Sequence, residues 1–139
     1  MSHWDHYFHI VWTTKWRQPL ITPEREEPLF KLIFQLGQEM KFEVLAVNGT
    51  SDHVHLLIKT GAKIDLSSIV ARVKGGTSSF INDLNEHQHN FRWQEGYFSA
   101  TVTPNHVAKI ETYIKNQKAH HKDGSTHAYW EKTEQERVP

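Results

Sequence analysis

The sequence predicts an α+β fold of the ferredoxin-like or RRM-like kind: an antiparallel four-stranded sheet with helices packed on it, plus a C-terminal helix. Three observations lead there. Segments of period-two alternation and segments of helical apolar spacing follow in the order strand, helix, strand, strand, helix, strand, helix. Helix starts are marked by Thr22-Pro23, Asp65 and Thr103-Pro104, each a capping residue at a place where an apolar stripe begins. No repeat or linker interrupts the 139 residues, so one domain is expected, with a core over about residues 7–121 and a tail over 122–139.

In order, about His3 to Thr14 places Tyr7, His9 and Val11 on one face and Phe8, Ile10 and Trp12 on the other, which reads as a first strand. A polar loop follows in which Lys15 and Arg17 flank Trp16. That pattern suits phosphate pairing with base stacking, and equally an ordinary solvated loop with one partly buried Trp. The first helix carries Leu29, Phe30, Ile33, Leu36, Gly37 and Met40 at helical spacing, and Pro28 predicts a late start near Glu27 or a kink. Phe42 to Val47 reads as a second strand ended by a tight turn at Asn48-Gly49. The third strand, about His53 to Thr60, is apolar on both faces in its later half and belongs in the centre of the sheet.

Asp65 caps a second helix reaching Phe80 or Leu84, with a core face of Leu66, Ile69, Val70, Val73, Phe80, Ile81 and Leu84. Within it Lys74-Gly75-Gly76-Thr77-Ser78-Ser79 disturbs the pattern, because two glycines cost roughly 2 kcal/mol against alanine. Either the helix breaks there, or a phosphate approaches amides, hydroxyls and Lys74. His87 to Gln94 reads as loop, Gly96 to Val102 as the fourth strand, and about Asn105 to His121 as the last helix. That helix has an apolar stripe of Val107, Ile110 and Ile114 beside a second stripe of Tyr113, Asn116, Gln117 and His120.

Composition narrows the function classes. Sixteen basic residues balance sixteen acidic ones, which counts against a non-specific duplex-DNA coat. The balance hides segregation, since bases outnumber acids from Lys59 to Lys118 and the tail after Lys122 is acid-rich. Absence of cysteine removes disulfides and thiolate chemistry, and no apolar run matches a membrane span or a signal segment, so a cytoplasmic protein is expected.

The chemistry-bearing stretch is Asp52-His53-Val54-His55-Leu56-Leu57-Ile58. Alternation aims His53 and His55 to one face, forming half of a divalent-metal site, while Val54, Leu56 and Ile58 face the core. An isolated pair of this kind is more often two ordinary histidines, so the rest of the chain has to carry the case. Gln117 or Asn116 on the last helix can add a neutral amide oxygen. Tyr113, one turn earlier, offers a phenol able to attack a phosphodiester and form a phosphotyrosine; equally it is a helix tyrosine packed on the sheet.

Taken together, Phe8-His9-Ile10-Val11-Trp12-Thr13-Thr14-Lys15-Trp16-Arg17, the histidine strand, Lys74-Gly75 with Ser78-Ser79, Trp93, Gly96-Tyr97-Phe98, and Tyr113-Ile114-Lys115-Asn116-Gln117 through His120-His121 resemble one family. It is that of the single-tyrosine HUH transposases (TnpA type) of small insertion sequences, related to repeat-associated tyrosine transposases. The resemblance covers about Tyr7 to His121. It implies that His53, His55 and Gln117 hold magnesium or manganese and that Tyr113 forms a 5′-phosphotyrosine with single-stranded DNA bearing hairpin ends. It also implies a homodimer whose active sites are in some cases shared between subunits. Lys15, Arg17, Lys74 and Ser78 become the DNA-contact candidates. The chain departs from the pattern at Thr50-Ser51, where relatives often carry Met-Pro, and the tail matches nothing in it. Three other readings compete: a repeat-associated nickase acting on hairpins without mobilising an element, a non-catalytic RRM-like nucleic-acid-binding module, and a metal hydrolase in which water attacks.

Overall fold

A computed structural model describes residues 5–84, 90–119 and 131. Its elements are β1 (His6–Thr13), α1 (Pro23–Met40), β2 (Glu43–Gly49), β3 (His53–Thr60), α2 (Leu66–Leu84), β4 (Phe98–Val102) and α3 (Val107–Lys115). The strands pair antiparallel in the order β2-β3-β1-β4, the ferredoxin-like arrangement the alternation predicts. β3 and β1 lie inside the sheet, which is why Leu56, Leu57 and Ile58 are buried on both faces.

Period-two alternation separates two chemistries. Ile10, Trp12, Val54, Leu56 and Ile58 face the main core, where Leu29, Ile33 and Leu36 of α1 and Ile69, Val70, Val73 and Ile81 of α2 meet them. Each such side chain removed from water contributes roughly 1.5–3 kcal/mol, so this face dominates stability. The opposite face carries His9, His53 and His55, all buried, beside a smaller apolar cluster of Ala46, Leu57, Val102, Ile110 and Ile114. Ile110 and Ile114 belong to α3, which packs on β2 and β3. The main core sits on one side of the sheet, and the histidines on the other, under α3.

Four local expectations are corrected. Asn48 and Gly49 are strand residues, paired with His55 and Val54; the chain turns at residues 50–52, closed by Thr50 N donating to His53 O at 3.1 Å. Gly49 is needed for space: an added Cβ would lie 2.1 Å from the His53 carbonyl oxygen. Pro28 neither delays nor breaks α1, which runs from Pro23 with Pro28 in its second turn, beside the exposed Glu24 whose carbonyl loses that amide partner. α2 continues unbroken through Gly75 and Gly76, because its apolar face docks on α1 and the sheet on either side of them. Finally α3 is interrupted at Asn116, whose backbone leaves helical geometry before a helical turn resumes over 117–119. Expectations for His3, His87, His120 and His121 lie outside the described residues.

The two glycine environments predict opposite responses. Gly49→Ala is expected to lower stability by about 1–3 kcal/mol through overpacking against the turn. Gly75→Ala, at an exposed helical position with open space around it, should raise stability by about 1 kcal/mol. Urea denaturation of both variants measures the contrast.

Candidate metal and nucleophile site

β3 fixes the site because its pleat aims His53 and His55 to the α3 side, with ring centroids 5.2 Å apart. Each ring is held through its Nδ1. For His53 the partners are Asp52 Oδ1 at 2.8 Å and Thr50 Oγ1 at 2.9 Å, from the turn that Gly49 makes possible. For His55 the partner is His9 Nε2 at 2.8 Å, reaching across from β1. Burial, and then the neighbouring His55, lower the His9 pKa to about 3, so His9 is neutral and its Nε2 can accept a hydrogen bond from His55 Nδ1. Held this way, both rings turn Nε2 toward α3.

The helix answers with Tyr113 and Gln117, both buried. The Tyr113 and His55 ring centroids are 6.2 Å apart, edge to face. The break at Asn116 separates Gln117 from the regular helix, and two side chains dock the helix end and the turn beyond it. Asn48 Nδ2 donates to the Lys115 carbonyl at 3.0 Å. Lys118 Nζ reaches Asn48 Oδ1 and Glu26 Oε1, each at 2.7 Å. Gln117 Oε1 is thereby set 3.1 Å from His53 Nε2.

Glu131 completes the cluster from beyond α3. Its Oε1 is 2.9 Å from His55 Nε2 and 3.3 Å from His53 Nε2. Its Oε2 accepts from Gln117 Nε2 at 3.1 Å and from the Tyr113 hydroxyl. One ligand atom from each of His53, His55 and Glu131 lies within 4.8 Å of the others.

These contacts call for positive charge between the rings and the carboxylate. Burial opposes protonation of His53, yet hydrogen bonds to Asp52, Glu131 and Gln117 outweigh it and raise the pKa to about 9. Burial also pushes the Glu131 carboxyl up, but hydrogen bonds from His53 and His55, the His55 charge and the Tyr113 hydroxyl hold it far below the ordinary carboxylate range. Asp52 is likewise lowered, chiefly by its hydrogen bond from His53. A proton on His53 meets the demand for charge; so does a divalent ion, for which two imidazole nitrogens, an amide oxygen and a carboxylate oxygen are a fitting donor set.

Of the residues singled out in the sequence, His53, His55, Tyr113 and Gln117 come together within one chain. Asn116 does not join them: it is the break residue. Lys15 and Arg17 lie in a short 3₁₀ turn next to the site, where Arg17 NH1 is 4.0 Å from Asp52 Oδ1. Lys74 and Ser78 are on α2, against the opposite face of the sheet. Lys74 Nζ donates to the carbonyls of Gln94 and Gly96, each at 2.7 Å, bracing the approach to β4, and Ser78 Oγ donates to the Gly75 carbonyl at 3.2 Å. Sequence reading missed Glu131, His9, Asn48 and Lys118 as site-building residues. The His9 signal was available, since alternation sets it opposite the apolar Ile10 and Trp12; for Glu131 the sequence offers no more than the aromatic pair Tyr129-Trp130 just before it in an otherwise polar tail.

Comparison with known proteins bears on this arrangement. Residues 2–117 match the family model described as "Transposase IS200 like". The chain belongs to the IS200-like transposase family. The transposase of insertion sequence IS200 from Salmonella typhimurium is 28% identical over 121 residues, covering 84% of this chain and 79% of that protein. The ISDra2 transposase TnpA of Deinococcus radiodurans is 26% identical over 115 residues, covering 79% of this chain and 82% of the relative. Among solved structures, a REP-associated tyrosine transposase bound to a REP hairpin superposes with a TM-score of 0.63 at 18% identity, covering 91% of this chain and 76% of that one. As an IS200-like transposase the chain is an enzyme of DNA transposition, a family role that entails DNA cleavage and strand transfer. No helix among the described residues is long and apolar enough to cross a membrane.

The buried histidines predict a stability optimum in metal-free protein. His53, raised from 6.5 to about 9, contributes stability that is complete below pH 6.5 and is lost as pH rises through 9. His9, lowered from 6.5 to about 3, binds its proton only on unfolding, so stability falls as pH drops below 6.5. Urea melts in EDTA should therefore peak near pH 6.5. His9→Phe should flatten the acid limb between about pH 6.5 and 4.5, above the range where carboxylates titrate.

Proposed function

We propose that this IS200-like transposase cleaves and rejoins single-stranded DNA at insertion-sequence ends through a 5′-phosphotyrosine on Tyr113. His53, His55 and Gln117 would hold a divalent ion, magnesium or manganese. The observation that carries the reading is the meeting of the Tyr113 hydroxyl and both histidine Nε2 atoms on one carboxylate. A phenol shared in that way with two ring nitrogens stands where a phosphodiester approaching the cation would meet it.

In the reaction the Tyr113 oxygen attacks phosphorus in line with the departing 3′-oxygen. The Tyr–O–P bond forms as the P–O3′ bond breaks; the phenol's proton passes to solvent and the released 3′-oxygen takes one up from solvent, leaving a 3′-hydroxyl. When bound, the ion polarises the phosphoryl oxygens and steadies the charge that builds on them. The phosphoester energy is kept in the covalent link, so a 3′-hydroxyl can reverse the step on a new partner without ATP. A buried, low-water setting around Tyr113 favours that transfer over hydrolysis.

DNA contacts fit the turn beside the site. Trp16 is 71% exposed, and Trp16 and Arg17 both adopt left-handed backbone angles, φ 55° and 52°. Such geometry costs of order 1–3 kcal/mol per residue and tends to gather at functional sites. Here it carries an indole into solvent with Lys15 Nζ 5.0 Å from the ring centroid, a combination suited to a stacked base and its phosphate. Hairpin DNA is the proposed substrate class, as in the REP-hairpin complex of the solved neighbour. Lys74 and Ser78 would act at longer range or through the Gln94 segment, whose side-chain oxygen accepts from Trp16 N at 3.2 Å.

A homodimer remains part of the reading. The closeness of Tyr113 to His55 of its own chain supports a complete site in each subunit. α3 covers the sheet face that an RRM-like module would leave open for stacked bases, which disfavours the non-catalytic reading.

Labelled single-stranded hairpin DNA incubated with the protein and manganese is expected to give a denaturation-resistant adduct. EDTA should prevent it and Tyr113→Phe should reduce it below detection. An adduct that survives in Tyr113→Phe identifies another nucleophile, and cleavage without any adduct identifies water. Trp16→Ala should weaken binding of single-stranded DNA by about 1–3 kcal/mol, the usual worth of one stacked base, as read by fluorescence anisotropy.

A further inference from the structure

Glu131 stands apart from every sequence segment that resembles the family, yet the site converges on it. It lies 14 residues beyond Gln117. Its side chain is only 14% exposed, so the contact is more than a surface encounter. The two carboxylate oxygens divide their partners. Oε1 faces both imidazole Nε2 atoms, and Oε2 accepts from the Tyr113 hydroxyl and from Gln117 Nε2.

We infer that Glu131 is a further ligand of the divalent ion and the positioning residue for Tyr113. Oε1 enters the coordination shell beside the two Nε2 atoms, while Oε2 keeps its hydrogen bond from the phenol. This rests on the reading of the site as a metal-and-tyrosine centre. Two features of the molecule argue for it. The histidines and Gln117 are neutral donors, and magnesium and manganese favour anionic oxygen, which Glu131 supplies. The Nδ1 atoms of both rings are engaged by Asp52 and His9, so the nitrogens left to face an ion are those already directed at Glu131. Tyr113 is then tied to the ion through one carboxylate, so the nucleophile is oriented by the group that also completes the shell.

The test uses the full chain and manganese alone, with free Mn2+ followed by EPR. Glu131→Gln should weaken Mn2+ binding by about tenfold or more, the usual effect of losing a group that supports a metal site. Glu131→Asp should fall between the two, and Tyr113→Phe should bind as the wild type does. A second readout is the ring Cζ resonance of Tyr113 in carbon-13 tyrosine-labelled protein. It should shift on saturation with Mg2+ in the wild type and move far less in Glu131→Gln at saturating Mg2+.

Unchanged Mn2+ affinity in Glu131→Gln overturns the inference, and so does tighter binding, which would make the carboxylate an occupant of the ion's place. If Glu131→Gln fails to fold, Glu131→Asp decides: weaker binding supports the inference, and wild-type or tighter binding overturns it. Adduct formation at saturating Mn2+ separates this from the wider proposal. A Tyr113-dependent adduct in Glu131→Gln with unchanged Mn2+ affinity leaves the phosphotyrosine reading standing and removes Glu131 from the shell.

Discussion

Two imidazoles on the inner face of a central strand set the terms for everything around them. A ring nitrogen removed from water needs a partner, and a charge removed from water needs a counter-charge. Asp52 and Thr50 answer at His53 Nδ1, His9 at His55 Nδ1, and Gln117 and Glu131 at the Nε2 side. These partners come from the β2–β3 turn, from β1, from the end of α3 and from the chain beyond it. The histidine pair therefore ties together four separate parts of the protein. That convergence makes the cluster a site, whereas two histidines one residue apart make only a strand.

The division of the sheet explains how such a cluster is tolerated. Nearly all the large apolar side chains lie under α1 and α2, so stability is secured on the face that carries no chemistry. The other face has only a small apolar cluster to hold α3. Directional contacts make up for this: Asn48 fastens the Lys115 carbonyl, and Lys118 bridges Asn48 and Glu26. A nine-residue helix with few buried contacts belongs to the less stable part of a fold, where elements that must adjust to a ligand are drawn from. Tyr113, the proposed nucleophile, is thus carried on the shortest of the described α-helices, while the histidines stay on a strand paired on both sides.

Much of this was legible in the sequence, and the failures share a cause. Alternation alone sorts His53 and His55 from Val54, Leu56 and Ile58; Tyr113 and Gln117, four residues apart, meet the same cluster although the helix breaks between them at Asn116. The alternation is a local rule that tertiary structure did not override. Asn48-Gly49 misled because a turn signal does not reveal register: the pair carries the strand past the expected turn, and glycine is required for clearance at the His53 carbonyl. Gly75-Gly76 misled in the opposite sense, since packing of Val73, Thr77 and Ile81 on either side holds the helix through them. Glu131 was out of reach for a different reason. Its role depends on a stretch far along the chain meeting the sheet, and a single Glu in an acid-rich tail has no periodicity to announce it.

The balanced net charge, an oddity for a protein that handles DNA, has a local explanation. A coat for duplex DNA needs a broad basic surface, but a site that engages a few nucleotides needs cations only where phosphates lie. On the proposed reading Lys15 and Arg17 provide them beside the cluster. Inside it the balance is reversed: above the raised His53 pKa, where both rings are neutral, Asp52 and Glu131 leave two negative charges close to where a phosphodiester would come on the proposed reading. Like charges at that range in a partly dry site repel strongly. A divalent ion held by the Nε2 atoms and Glu131 would offset that field and let the phosphate in, so on the proposed reading occupancy of the metal site and access for the DNA backbone become one electrostatic event. The acidic residues that make the chain neutral overall are, on this view, what makes its chemistry conditional on the ion.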